Sequence, residues 1–134
     1  ETPINLDVLV ARVVAPHGAD RFAISGEPLS VCYRAITPLA LILHELATNA
    51  AKYGSLSADD GRVAIGWTIA EERLILRWRE SGGPVLSEPA ELGFGSKLMR
   101  MSAARQLGGN IEKDWLADGL LATVDLDLAQ VTGC

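Results

Sequence analysis

Two neighbouring runs, "GRVAIGWTIA" and "EERLILRWRE", set the tightest limit on what this chain can become. In the first, Val63, Ile65, Trp67 and Ile69 recur at every second position. In the second, Leu74, Leu76 and Trp78 do the same, with Arg77 and Arg79 on the alternate face. Period two belongs to a strand, and polar Glu71, Glu72 and Arg73 separate the runs, so the pattern predicts a β-hairpin with one apolar face. Such a face must be covered by a second layer.

The rest of the chain supplies that layer and more strands. "NLDVLVARVVAPHG" reads as a short helix, with Asn5 as cap and Pro16 and Gly18 closing it. "RFAIS" reads as a short strand and turn. "VCYRAITPLALILHELATNAAKYG" contains the main helix, with Thr37 as N-cap, Pro38 in the first helical position and Gly54 as the stop. The glycine- and proline-rich stretch "SGGPVLSEPAELGFGS" reads as loop. "SKLMRMSAARQLGG" reads as a helix capped by Ser96 and ended by Gly108. "NIEKDWL" and "LLATVDLDL" read as two strands around a turn at Asp118-Gly119. This order predicts an α+β fold: a two-layer sandwich with a mostly antiparallel sheet and helices on one face.

Bulk properties narrow the function. The 134 residues suit one domain, and 49% hydrophobic with 22% charged residues is enough for a real core. A net charge of −5 argues against general nucleic-acid binding, which needs clustered Lys and Arg. Cys32 and Cys134 are too few for a disulfide framework, so a reducing compartment is the default. No apolar run approaches the ~18–20 residues that span a bilayer, and no signal peptide is visible. The opening "ETPINLD" has no Met, and reads as a domain excised from a longer protein.

The main helix carries an unusual polar load. With Glu45 at zero and about 100° per residue, Asn49 falls near 40°, Lys52 near −20° and Tyr53 near 80°. Leu39, Leu43, Leu46 and Ala50 gather on a separate apolar stripe, and His44 lies on the far flank. A solvated helix face explains polar residues in general. It explains Asn49 poorly, because Asn is a weak helix former, and it leaves Tyr53 beside the stripe without a reason. The stripe suits a ligand: Glu45 as a base, Asn49 as an oxygen donor to a hard cation, Lys52 as a phosphate partner and Tyr53 as a stacking surface.

Two glycine segments follow in order. In "WRESGGP", Glu80 shares its parity with Leu74, Leu76 and Trp78, and so points between sheet and helices at the strand end. A carboxyl there can accept from an amino group such as that of adenine. Gly82 and Gly83 leave room for a ligand plane. In "GFGSKL", glycines precede a helix N-terminus, an arrangement that offers amides to a phosphate. Each segment alone fits an ordinary turn. Together with the polar helix they describe one nucleotide site, with residues 84–92 long enough to act as a lid.

These segments carry a resemblance. "HELATNAAKYG" resembles the N box, "ESGGP" a variant first glycine box and "GFGSKL" the second glycine box of the catalytic ATP-binding domain of bacterial sensor histidine kinases. That domain sits within the gyrase, Hsp90, histidine kinase and MutL superfamily. His44 and Trp78-Arg79-Glu80 match the markers of the HWE subfamily, and the likeness covers nearly the whole chain. It implies the Bergerat-type sandwich. It implies ATP and Mg²⁺ as ligands, with Asn49 on the metal, Lys52 on phosphate, Tyr53 beside base or ribose, and Glu80 in place of the usual Asp that reads the adenine amino group. Gly82 and Gly83 would shape the adenine pocket. Gly93, Phe94, Gly95, Ser96 and Leu98 would line the phosphate end. Glu45 stands where related ATPases place a general base.

The implied partners are a helical dimerisation and phosphoacceptor domain of the same kinase and a response-regulator receiver domain, in the cytoplasm. Neither nucleic acid nor a membrane surface is implied. His17, between Pro16 and Gly18 in sequence context, is a poor phosphoacceptor, and His44 belongs to the N box, so this segment is expected to need its acceptor from elsewhere. Two other readings remain. One is a serine kinase of the anti-sigma type, against which the HWE markers speak. The other is a docking module that keeps the fold without ATP, against which the complete boxes speak.

Overall fold

The structure, a computed structural model, describes residues 2–84 and 94–134, with side chains in the second segment from residue 97 onward. Its elements are β1 (Ile4–Asn5), α1 (Leu6–Val14), β2 (Phe22–Gly26), β3 (Ser30–Val31), α2 (Tyr33–Lys52), β4 (Arg62–Ala70), β5 (Arg73–Ser81), α3 (Phe94–Met101), β6 (Asn110–Leu116), β7 (Gly119–Asp127) and α4 (Leu128–Thr132). β1 and β3 form a small antiparallel ribbon, and the main sheet has the order β2-β4-β5-β7-β6. Within it β2 runs parallel to β4, and every other pair is antiparallel. This is the expected α+β sandwich.

The hairpin forms in the register that its alternation demands. Ile65 faces Trp78, Trp67 faces Leu76 and Val63 faces Glu80 across β4 and β5. On the other side Ala122 of β7 stands opposite Trp78, a small neighbour that leaves room for the indole. Val63, Ile65, Trp67, Leu74, Leu76, Trp78, Val124 and Leu126 are all buried, while Arg62, Thr68 and Arg77 are exposed on the outer face. α2 answers with Leu39, Ile42, Leu43, Leu46, Ala47 and Ala50, buried at spacings of three and four. The core therefore lies between one sheet face and the helices.

Several boundaries differ from expectation. α2 begins at Tyr33, with Cys32 as its N-cap, so Thr37 is not the cap and Pro38 lies inside the helix. Pro38 lacks only the amide that would have bonded Arg34 C=O. The first turn is secured tertiarily instead: Cys32 N–H donates to Val131 C=O at 2.8 Å, Ala35 N–H donates to Cys32 C=O, and Ala35 and Pro38 are buried. α3 begins at Phe94, which puts Ser96 within its first turn rather than at its cap. The helix continues as a π-helical turn, Ser102–Gln106, and Gly108 at φ +62° ends it as expected. The β6–β7 turn is Ala117-Asp118, because Gly119 already pairs with Leu116.

The cysteines also need correction. Cys32 and Cys134 form a disulfide, with Cα atoms 5.5 Å apart. α4 carries the chain end back to the start of α2, where Arg34 donates to Gly133 C=O at 3.1 Å and so helps bring the two sulfurs together.

Candidate functional site

The polar stripe and the first glycine segment meet at the C-terminal end of α2. Tyr53 and Gly54 amides donate to Asn49 C=O and end the helix, and the chain then makes a short 3₁₀ turn, Ser55–Ser57. Glu80, at the end of β5, is 1% exposed. Its Oε1 accepts from Ser55 N–H at 3.0 Å and its Oε2 from Trp78 Nε1–H at 3.0 Å. The inward direction inferred from parity is therefore correct, and the carboxyl is held by two donors. Each oxygen keeps a further lone pair for another donor.

Close approach explains two of the glycines. A Cβ on Gly54 would stand 2.2 Å from Glu80 Oε1, and one on Gly83 would stand 2.3 Å from Ser55 Cα. Any side chain at either position would push the helix end and the strand end apart. Gly82 lies beside Gly83 at φ +75°.

Glu45 and Asn49 are half-buried, and Lys52 and Tyr53 are exposed, Tyr53 at 66%. Tyr53 thus presents an open ring at the helix end. None of these four side chains makes a hydrogen bond or ion pair with another described residue. His44 is exposed, away from the core as its helix angle requires. No cluster of three acidic, His or Cys residues able to hold a metal occurs among the described residues. The donor set present, one carboxyl and one amide on one helix face, suits a hard cation that takes its other oxygens from a phosphate ligand.

Leu98 is half-buried on α3, next to buried Met99. Phe94, Gly95 and Ser96 form the start of α3, which packs against α2. Gly93 and the 85–92 part of the expected lid lie outside the described residues.

Two residues escaped the sequence reading. Ser55 supplies the amide to Glu80, and its Oγ is buried without a hydrogen-bond partner among the described residues. Such a group costs about 1–3 kcal/mol unless a ligand or water satisfies it. Arg21 reaches the carbonyls of the same loop from the start of the sheet. A serine after a helix end and an arginine before a strand carry no local signal, and only the contacts single them out.

No protein-family model matches the chain. Over 134 residues it is 42% identical to the blue-light-activated histidine kinase 1 of Erythrobacter litoralis, covering 95% of this chain and 37% of that protein. Among solved structures, the Erythrobacter litoralis EL346 blue-light activated histidine kinase superposes with a TM-score of 0.77 at 18% identity, over 95% of this chain and 43% of that one. The catalytic domain of histidine kinase ThkA superposes with a TM-score of 0.72 at 16% identity, over 94% of this chain and 95% of that one. These structural likenesses show the fold. The chain spans about two fifths or less of the length of the curated relatives it matches. No described helix is long and apolar enough to cross a membrane.

Proposed function

We propose that the chain is the catalytic ATP-binding domain of an HWE-type bacterial histidine kinase, and that it binds ATP with Mg²⁺ and passes the γ-phosphoryl group to a histidine on a helical domain outside this segment. One observation carries the reading. The buried Glu80 carboxyl accepts from the Ser55 amide just beyond the end of the helix that bears Glu45, Asn49 and Lys52, which supports reading these groups as one site.

In this reading Glu80 accepts from the adenine amino group, Gly82 and Gly83 leave space for the base, and Tyr53 flanks base or ribose. Asn49 would hold Mg²⁺, which would supply positive charge to offset that of the phosphates. Lys52 contacts phosphate, and the 93–98 segment, with Gly93, Phe94, Gly95, Ser96 and Leu98, lines the phosphate end. Glu45 would either take the proton from the attacking imidazole or help to hold Mg²⁺ at the site. The P–O bond to ADP breaks as the N–P bond forms, and the work of the protein is positioning and charge neutralisation. A response-regulator Asp is the next acceptor. The setting is the cytoplasm, where ATP is abundant.

Thermal unfolding with ATP, GTP and ADP, each with and without Mg²⁺, tests this. Ligand at about 100 times its dissociation constant adds about 2.7 kcal/mol to the stability. Asn49→Ala removes the Mg²⁺-dependent part of the shift. Glu80→Ala weakens the preference for adenine over guanine, and Glu80→Gln, which keeps the volume but can accept from only one of Ser55 N–H and Trp78 Nε1–H, does so as well. No shift at millimolar nucleotide would favour the non-catalytic docking module.

A further inference from the structure

We propose that Arg21 is a positioning residue for base recognition, acting through the 54–61 loop; this rests on the nucleotide reading above. Arg21 ends a 3₁₀ turn, Ala19–Arg21, immediately before β2. Its Nε donates to Gly61 C=O at 3.1 Å, Nη1 to Leu56 C=O at 3.2 Å, and Nη2 to Gly61 C=O at 3.0 Å and to Ala58 C=O. All four bonds go to main-chain carbonyls 35 to 40 residues away, and no acidic partner is recorded for it among the described ion pairs. A half-buried guanidinium engaged in this way fastens a loop instead of neutralising a charge.

The fastened loop supports Glu80 and the first-box glycines, the groups read above as recognising the base. Ser55, within it, gives its amide to Glu80. Gly83 packs on Ser55 Cα and Gly82 lies over Asp60 C=O, so both first-box glycines rest on residues of the loop. The loop's own bonds, Ser57 N–H to Gly54 C=O, Ala58 N–H to Ser55 C=O and Gly61 N–H to Ala58 C=O, close it only upon itself. Arg62 at the start of β4 also donates to Gly61 C=O, at 3.0 Å, but it is Arg21, from the start of the neighbouring edge strand β2, that reaches Leu56 and Ala58 C=O as well. Displacing the loop would move the Ser55 amide away from Glu80 Oε1 and let the carboxyl rotate. The planar, five-donor fork is essential to this role, since a lysine ammonium cannot reach three carbonyls in one plane.

The test uses this chain as Arg21→Lys and Arg21→Gln, with ATP and GTP dissociation constants measured in Mg²⁺ well below each protein's unfolding temperature, alongside urea unfolding. The expected result is roughly tenfold weaker ATP binding, the size of losing one or two net hydrogen bonds, and a narrower ATP-to-GTP preference. The lysine variant keeps the charge and the aliphatic stem, and so reports even where the glutamine variant folds poorly. A fall in urea stability with an unchanged ATP-to-GTP ratio would make Arg21 merely structural and overturn the proposal. A wild-type chain that binds no nucleotide would overturn the nucleotide reading together with this one.

Discussion

At Glu80 both carboxyl oxygens are engaged before any ligand arrives, one by the Ser55 amide and one by the Trp78 indole. Trp78 is fully buried and meets Phe22 edge-on at 6.1 Å between ring centroids, so it packs the core and orients the carboxyl at once. Trp78→Phe keeps an aromatic ring and removes only the donor and some volume. It should lower the unfolding free energy in urea by about 1–3 kcal/mol, the usual cost of leaving a buried acceptor without its donor; no measurable loss would mean that the indole bond contributes nothing net. The Trp-x-Glu spacing made the shared strand face legible. It did not reveal that the first residue bonds the second, because Cα atoms two apart on a strand are roughly 6.5 Å apart and the indole rotamer decides the rest.

Among the elements, α2 shows how tertiary support moves a boundary. Thr37-Pro38 is a sound local start signal, yet the helix begins five residues earlier, at Tyr33 and not Pro38, because buried Ala35 and the bonds around Cys32 hold the extra turn. The Cys32–Cys134 disulfide clamps the same end across a separation of 102 residues. Reduction should lower the unfolding free energy by about 2–5 kcal/mol if the unfolded chain gains the corresponding freedom. Urea unfolding with and without reductant measures it, with a Cys32→Ser, Cys134→Ser double variant as the control that must not respond. A wild-type curve indifferent to reductant would show the thiols unpaired in solution. Two cysteines 102 residues apart offer no sequence-level reason to pair, since loop length alone does not bring α4 beside α2.

For the whole molecule, acid stability depends partly on the outer side of the same sheet end. Arg79 bonds Asp118 in the β6–β7 turn and also donates to Glu80 C=O, linking that turn to the strand that bears the site. The hydrogen bond from Arg79 holds the Asp118 carboxyl below its ordinary value of 3.8. A depressed folded-state value means that the pair stabilises above that ordinary value, and that the contribution disappears as pH falls through the lower folded value. Asp118→Asn should flatten this part of the acid limb in a plot of denaturation midpoint against pH. The effect should be small and should fade in high salt, because the pair is exposed. Local periodicity in the sequence determined the two layers, the buried face of β4 and β5, the inward Glu80 and the polar stripe of α2, since each follows from spacings of two, three or four residues. Tertiary structure alone decided that β2 lies parallel to β4, that the two cysteines pair, and that Arg21 and Ser55 stand behind Glu80. Those contacts join residues 25 to 102 positions apart, and which distant segments meet is set by the packing of the entire core, which no local pattern contains.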